Sequence, residues 1–325
     1  MTDKNDSQSG KSSLQFEQLL ASDVARELLQ EQRRSRRWGI FFKSLLALYV
    51  LAFLLIYAAG NWQREAAGLG MGGKHTAVVD IDGVLSSDSQ ANADNIIAGL
   101  RDAFKNSNTK GVILRINSPG GSPVVAGHVN DEIYRLRKKY PKIPVYAVVE
   151  DICASGGYYI ASAADKIYAD KASIVGSIGV IMSGFGFVGA LDKLGIERRV
   201  LHAGKNKDFM DPFRPLKTED VQHVNAMLDN IYQQFIAVVK KGRGKRLKDD
   251  DGKIFSGLVW TGEDARKLGL VDGLGSASYV AREVIGAKHM VDFTHRENYF
   301  DRFAQHLGTT LANRLYASIK FNLIQ

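Results

Sequence analysis

The sequence is poor in cysteine, the residue that builds disulfides. Its 325 residues contain a single cysteine, Cys153, so no disulfide can form within the chain. The cysteine count therefore neither supports nor excludes an oxidising compartment. Cys153 lies in an apolar stretch, where a buried thiol is more common than a reactive one. The spacing of zinc-finger ligands and the Gly-rich loop of phosphate-binding proteins are both missing. Chemistry that relies on either kind of site is therefore not expected.

Basic residues are not gathered as they are in nucleic-acid-binding proteins. The formal net charge of +8 is mild for this length, and no basic motif is interleaved with aromatic residues. The densest basic cluster directly precedes an apolar run and consists of Arg33, Arg34, Arg36 and Arg37. Its position indicates the flank of a membrane segment rather than a nucleic-acid interface.

One apolar run, residues 39–60, has the length of a membrane span. Roughly twenty apolar residues cross a bilayer as a helix. Three aromatic residues flank the run where interfacial aromatics belong, namely Trp38, Tyr57 and Trp62. A buried core helix of a soluble domain is the alternative. The spacing favours a transmembrane helix.

The arginines ahead of this run predict its orientation. Positive charges stay on the cytoplasmic side, so residues 1–38 are expected to form a cytoplasmic tail and the rest of the chain to be exported. A cleaved signal peptide is less well supported, because 38 residues are too many for an ordinary n-region. We expect an uncleaved signal-anchor, with a tether over 61–74 and the body on the exported side of the membrane.

The body alternates apolar strands with amphipathic helices. Strands are predicted over 76–85, 111–116, 144–150 and 197–201, and helices over 91–104, 124–139, 158–164, 187–194 and 218–241. Residues 259–272 predict a short helix followed by a strand, and a helical stripe runs through 291–325. This alternation is typical of parallel βαβ units, in which sites gather at the carboxyl ends of strands. The loops 117–121 and 151–157 are therefore expected to face one crevice.

Ser155 is the candidate nucleophile between these two loops. It precedes two glycines and a predicted helix, so its hydroxyl lies beside backbone N–H groups that have no partner within the helix. Such amides can stabilise a developing oxyanion, and glycines let a substrate carbonyl approach. An ordinary helix N-cap is the simpler explanation of Ser155 alone. Two Gly-rich loops at strand ends favour the oxyanion site.

A serine hydroxyl needs a base, and the residues alone leave its identity open. Seven histidines are candidates without recognisable triad context: His75, His128, His202, His223, His289, His295 and His306. A lysine can also serve if burial or neighbouring charges favour its uncharged amine. Lys205 and Lys207 lie in one loop after a predicted strand, although most lysines are solvated surface charges.

Four segments together resemble signal peptide peptidase A in their order and spacing. They are Asn117 to Gly121, Ala154 to Tyr159, Val175 to Val180, and Gly204 to Asp208 with Pro212 beyond. The match covers roughly residues 75–290. With one catalytic domain and one N-terminal anchor, the chain resembles the short form of the family. The resemblance implies an α/β fold of the Clp protease/crotonase type with repeated ββα and βαβ units, behind one N-terminal transmembrane helix.

The resemblance also implies roles for individual residues. Ser155 would be the nucleophile and Lys207 the general base, whereas Lys205 falls outside the family pattern. Ser177 would hydrogen-bond and orient the lysine. The N–H groups of Gly121 and Gly156 would form the oxyanion hole, with Gly120 as a possible substitute for one of them. No metal and no cofactor is implied.

The function implied by the resemblance is endoproteolysis of remnant signal peptides and other unfolded exported chains. Family members form oligomers in which the lysine approaches the serine of an adjacent subunit, so the expected partners are peptides, the membrane and further copies of the chain. Two alternatives remain: a crotonase-like acyl-CoA enzyme, which needs carboxylates and a place for CoA phosphates, and a non-catalytic membrane scaffold. The expected peptidase domain is 75–290, with a C-terminal helical extension over 291–325.

Overall fold

The computed structural model describes residues 36–53, 55, 73–248 and 252–296. The chain divides into two compact units, residues 1–67 and 68–325. In the first unit, helix α1 covers residues 36–53, and its apolar side chains are largely exposed. No helix within these described ranges is both long and apolar enough to cross a membrane. Part of the predicted span over 39–60 lies outside the described residues. Most of the predicted tether and of the C-terminal extension also lies outside them.

The second unit is a mixed α/β body. Its strands are β1 (His75–Asp82), β2 (Thr109–Ser118), β3 (Val145–Ala154), β4 (Lys166–Ala169), β5 (Ile174–Gly176), β6 (Val259–Thr261), β7 (Gly273–Leu274) and β8 (Met290–Asp292). Its helices are α2 (Ala93–Lys105), α3 (Pro123–Lys139), α4 (Gly156–Ala161), α5 (Val188–Leu194), α6 (Thr218–Arg243), α7 (Gly262–Lys267) and α8 (Ala277–Tyr279), the last continued by a π-helical turn (Val280–Ile285). The predicted alternation of strands and helices is confirmed.

The sheet runs in the order β6-β5-β3-β2-β1-β8, and β4 joins β3 to β7. All described strand pairs are parallel except β5 with β6. The main core lies where α2, α3 and α4 pack on the central strands, whose apolar side chains are almost completely buried. Burial of both faces explains why these strands read as continuous apolar runs in the sequence.

Strand β3 changes its neighbour along its length. Residues Tyr146 to Val149 pair with β4, whereas Ile152 to Ala154 pair with β5. The register with β2 also shifts between Ile116 and Ser118. The strand is therefore four residues longer than its predicted end at residue 150, and it delivers the chain directly to Ser155.

One predicted element is absent. Residues 197–201, predicted to be a strand, are irregular and mostly exposed. A strand needs a neighbour for its backbone hydrogen bonds, and no strand of the described body pairs with this segment. The prediction was wrong because the segment has only two apolar residues, Val200 and Leu201, after three charged ones, and no neighbouring strand pairs with it.

Candidate active site

Ser155 has a strained backbone and a hydroxyl with no hydrogen-bond partner among the described residues. Its φ of 50° and ψ of −121° are rare for a residue with a side chain. Two main-chain hydrogen bonds maintain this conformation, from Ser155 N–H to the Gly176 carbonyl (2.8 Å) and from Tyr159 N–H to the Ser155 carbonyl (2.9 Å). Ser155 occupies the N-cap position of α4, but its side chain makes no capping hydrogen bond. The ordinary N-cap explanation is therefore wrong.

The loop after β2 lies against Ser155. Ser118 and Cys153 are register partners, so the two strand ends are adjacent. A Cβ placed on Gly120 would come within 2.7 Å of the Ser155 Cβ and 2.8 Å of the Gly156 nitrogen. A Cβ on Gly121 would lie 2.2 Å from the Leu85 carbonyl oxygen. Both positions therefore accept only glycine, as the close approach of the two loops requires.

The orientation of this loop depends on Ser118, whose side chain is buried. Its hydroxyl donates to the Gly83 carbonyl at 2.6 Å and accepts from the Gly120 N–H at 3.2 Å. The Gly120 amide is thus already engaged. Of the two adjacent glycine amides, the structure leaves that of Gly121 available, so Gly120 does not suit the substitute role in an oxyanion hole.

Two backbone amides are available beside the Ser155 hydroxyl. Gly121 pairs with Leu85 only through its neighbours, since Leu85 N–H donates to the Gly120 carbonyl and Ser122 N–H to the Leu85 carbonyl. Gly156 is the first residue of α4, where an N–H has no intrahelical acceptor. Neither amide donates to another described residue. Their proximity is shown by Gly156, on which an added Cβ would lie 3.4 Å from the Gly121 nitrogen.

Ser155, Ser177, Gly121 and Gly156 line one cavity of about 410 Å³. Its other walls are mostly apolar and come from α3, α4, α6 and the segment after β5. The larger side chains among them are Pro119, Pro123, Ala126, Tyr159, Val180, Ile181, Ile231, Gln234 and Phe235. Among the described residues, the lining contains neither a carboxylate nor a cationic side chain.

Part of this wall could not be identified from the sequence. Phe235 is nearly buried on α6, and its ring centroid lies 5.1 Å from that of Tyr159. In the sequence, Phe235 belongs to the apolar stripe of the predicted amphipathic helix at 218–241, but this spacing does not show that the stripe ends at the cavity. Only the folded chain brings α6 beside the loop that carries Ser155.

Ser177 also has a positive φ, of 53°. Its N–H donates to the Leu258 carbonyl at 2.7 Å, and its hydroxyl has no partner among the described residues. The preceding Gly176 lies under Trp260, so close that a Cβ there would be 2.8 Å from the indole ring. Ser177 is thereby placed in the cavity with a hydroxyl that is free to bind an incoming group.

Lys207 is not brought into this cavity. Its side chain is exposed, and it does not line the wall that carries Ser155 and Ser177. Lys205 is also exposed, with its amine 3.9 Å from the Glu219 carboxylate. The single chain therefore assembles the hydroxyls and amides of the predicted site without its predicted base.

No histidine within the described ranges lines the cavity either. This removes six of the seven alternatives as bases within one subunit, since His306 lies outside those ranges. Cys153, two residues before Ser155, is completely buried as expected, and burial raises the pKa of its thiol. The thiol is therefore not a competing nucleophile.

The profile of Peptidase family S49 matches residues 137–290. These residues include Ser155, Ser177 and the segment that carries Lys207. A putative signal peptide peptidase SppA of Enterococcus faecium is 30% identical over 254 residues, which are 74% of this chain and 71% of that protein.

Two further relatives are similar to this chain over shorter regions. The putative protease MJ0651 of Methanocaldococcus jannaschii is 41% identical over 181 residues, 54% of this chain and 56% of that protein. A Na(+)/H(+) antiporter NhaA of Brucella abortus is 46% identical over 189 residues, 58% of this chain and 25% of that protein. The chain thus spans about a quarter of the antiporter and about half of the archaeal protein.

Proposed function

The chain belongs to peptidase family S49, and from this premise we propose that it is a serine endopeptidase that cleaves remnant signal peptides and other unfolded exported chains. One observation carries the proposal. The Ser155 hydroxyl has no hydrogen-bond partner in the described part of the chain, is carried by a strained backbone, and lies beside the two available amides of Gly121 and Gly156. A serine that only capped a helix would not need this arrangement.

The reaction follows from these groups. Ser155 Oγ attacks the scissile carbonyl carbon, and the carbonyl oxygen, now negative, accepts hydrogen bonds from the Gly121 and Gly156 amides. The serine proton passes to the base, which returns it to the leaving amine as the peptide bond breaks. Water then hydrolyses the acyl-enzyme, with the same base taking its proton.

The proposed base is Lys207, supplied by a second copy of the chain. A lysine accepts a proton only as the uncharged amine, which burial favours. The exposure of Lys207 and its place outside its own cavity support a base donated across a subunit interface. In the assembly, the Ser177 hydroxyl would form a hydrogen bond with the lysine amine and orient it towards Ser155.

The substrate class is supported by the chemistry of the cavity. Its walls are apolar apart from the two serines, Gln234 and the Tyr159 hydroxyl, and signal peptides contain apolar cores of 7–15 residues. We place the enzyme in a bacterial inner membrane, anchored by residues 39–60, with its body on the periplasmic side. The arginines before that run and the exposed apolar side chains of α1 support this location.

A peptidase assay on the full-length chain in detergent tests this proposal. With a fluorogenic peptide of apolar residues, we expect Ser155→Ala and Lys207→Ala each to lower kcat by a factor of about 10⁴ or more. Lys205→Ala, the matched control in the same loop, is expected to stay within about twofold of the unchanged chain. Normal turnover by Ser155→Ala would refute the peptidase mechanism, and normal turnover by Lys207→Ala would refute its base.

A further inference from the structure

Asp208, the residue after Lys207, is the buried centre of an ion-pair cluster. Its side chain is 2% exposed although its segment lies on the surface. Both carboxylate oxygens accept from Lys217 Nζ at 3.1 Å, and one also accepts from Arg214 Nη1. His202 Nε2 lies 3.8 Å away. A carboxylate removed from water needs such partners, and here they all come from the segment around Lys207.

The cluster connects the Lys207 segment to the start of α6. Lys217 is the N-cap residue of that helix, where a positive charge is unfavourable beside the helix dipole. Asp208 offsets this charge. The hydrogen bond from Lys217 in turn lowers the pKa of Asp208 below its ordinary value, so the carboxylate is ionised at neutral pH. The two groups are therefore oppositely charged at neutral pH.

A second contact joins the segment to the region of α5. Arg198 Nε donates to the Asp211 carboxylate at 2.8 Å, and the guanidinium lies 4.9 Å from the centroid of the Phe213 ring. The Phe213 ring is stacked on Phe187 at 5.3 Å, and the Phe187 N–H donates to the Pro212 carbonyl at 2.7 Å. These contacts hold the part after residue 210, which leaves Asp208 as the anchor nearest to Lys207.

The main chain at Lys207 has little support of its own. It consists of successive turns, with Lys207 N–H donating to the Gly204 carbonyl and Phe209 N–H to the Asn206 carbonyl, both at 3.1 Å. Lys207 is exposed while Asp208 is buried, so the two adjacent side chains point in different directions. Anchoring the Asp208 side chain therefore sets the direction in which the Lys207 side chain leaves the body.

We propose that Asp208 is a positioning residue, which orients the main chain of Lys207 so that its amine projects away from its own subunit to the Ser155 site of another. This inference rests on the proposed function. It assigns Asp208 to the subunit that donates the base, and it predicts no effect of Asp208 on the subunit that donates the nucleophile.

Mixed assemblies separate these two roles. Two full-length variants with different tags are produced together and purified through both tags in succession. In the reference pair, Ser155→Ala supplies only the lysine and Lys207→Ala supplies only the serine. Asp208→Asn, which keeps the side-chain shape and removes the charge, is then added to one member at a time. Glu219→Gln, which changes an exposed carboxylate close in sequence to the same segment, is the control in the lysine donor.

We expect Asp208→Asn in the lysine donor to lower kcat by about 10- to 100-fold at unchanged KM, because small misplacements of a catalytic group have effects of this size. The same substitution in the serine donor, and the Glu219 control, should match the reference pair. Equal losses in both donors would show a purely structural role and overturn the proposal, as would no loss in either.

Failure of the proposed function gives a different result. If the reference pair is inactive, the base does not come from a second copy, and Asp208→Asn in the otherwise unchanged chain decides the matter. A lower kcat at unchanged KM, with normal thermal unfolding, would then show that Asp208 positions Lys207 within one subunit, and it would overturn the projection to another subunit. An unchanged kcat would overturn any positioning role of Asp208.

Discussion

At the scale of single residues, the site depends on backbone conformations that few residues adopt. Ser155 and Ser177 both have positive φ angles although neither is glycine. Each such residue costs on the order of 1–3 kcal/mol and persists only where its surroundings require it. Main-chain hydrogen bonds to β5 and to Leu258 supply that requirement. The strain is therefore built into the sheet edge that carries the two hydroxyls.

Gly120 tests this close packing. Gly120→Ala has a φ of 102° to accommodate, and its Cβ would lie within 2.9 Å of the Ser155 Cβ, the Gly156 nitrogen and the Ala154 carbonyl oxygen. Because one of these neighbours is the Gly156 nitrogen of the proposed oxyanion hole and another is the Cβ of the proposed nucleophile, we expect lower kcat and a lower free energy of unfolding. Peptidase turnover and urea unfolding measure the two effects.

Gly127→Ala is the matched control. Gly127 lies on α3, where an added Cβ meets nothing within 4 Å. Alanine in a helix interior is more stable than glycine by roughly 0.5–1 kcal/mol, so this variant should unfold at higher urea with unchanged turnover. Wild-type turnover by Gly120→Ala would show that the close contact between the two loops is not needed for activity.

The residue types of the site could be predicted from the sequence, but their geometry could not. Ser155 with its glycines stands out as a serine at a strand end before a helix. Nothing in the sequence shows that its hydroxyl makes no capping hydrogen bond, or that the Gly120 N–H donates to the Ser118 hydroxyl. Those facts depend on tertiary contacts between β2 and β3. The catalytic roles of these residues stay predictions.

At the scale of elements, α2 and α3 are joined by a buried carboxylate. Glu132 on α3 accepts from Arg101 Nε on α2 at 2.7 Å and from two nitrogens of Arg135 at 2.6 Å. The hydrogen bonds from Arg135, and then those from Arg101, lower the pKa of Glu132 from its ordinary 4.5 to about 2. The ionised form thus stabilises the contact between the two helices.

This contact gives the body a specific response to acid. Because the pKa of Glu132 is lower in the folded chain, its contribution is complete above about pH 4.5 and is lost as the pH falls towards 2. We expect Glu132→Gln to lower the free energy of unfolding at neutral pH and to flatten its dependence on pH in that window. Urea unfolding at several pH values measures both.

Glu263→Gln is the control for that series, since its carboxylate is exposed on α7. It should leave the acid limb of the stability curve unchanged. If Glu132→Gln loses stability by the same amount at pH 2.5 and at pH 7, the ion pairs with Arg101 and Arg135 do not cause the acid response.

Long elements could be predicted more accurately than short ones. The strand at 111–116 and the helices at 124–139 and 218–241 agree with the structure to within two residues. Their apolar patterns extend over enough residues to define the element. The end of β3 was missed because Glu150 and Asp151 interrupt its apolar run, although pairing with β5 continues the strand. The predicted strand at 197–201 failed because no described strand lies beside it to complete its backbone hydrogen bonds.

At the scale of the whole molecule, the segment between β5 and α6 leaves many apolar side chains exposed in the single chain. They are Ile181, Met182, Phe185, Phe187, Leu194, Ile196, Leu201 and Leu216, and Leu201 is fully exposed. Helix α5, which lies within this segment, has no buried residue. Exposed apolar patches of this kind mark interaction sites. A second copy of the chain is the partner that the proposed base requires.

The proposed base from a second copy would explain why the sequence could not complete the site. A base supplied by another copy leaves no trace in the spacing of one chain, and the structure of one chain holds Lys207 away from the cavity. The resemblance to a known family was needed to pair Lys207 with Ser155. The central claim is that Lys207 acts as the base for Ser155, while the other groups of the site already lie together in one chain.

Covalent labelling by a fluorophosphonate probe, located by peptide mass spectrometry, tests that claim most directly, because the probe reacts with an activated serine. In the full-length protein we expect the label on Ser155, little label on Lys207→Ala, and a normal rate for Lys205→Ala. Adding Ser155→Ala, which supplies only the lysine, to Lys207→Ala through co-production should restore labelling of Ser155. Label on another residue, or a normal rate in Lys207→Ala alone, would contradict the account.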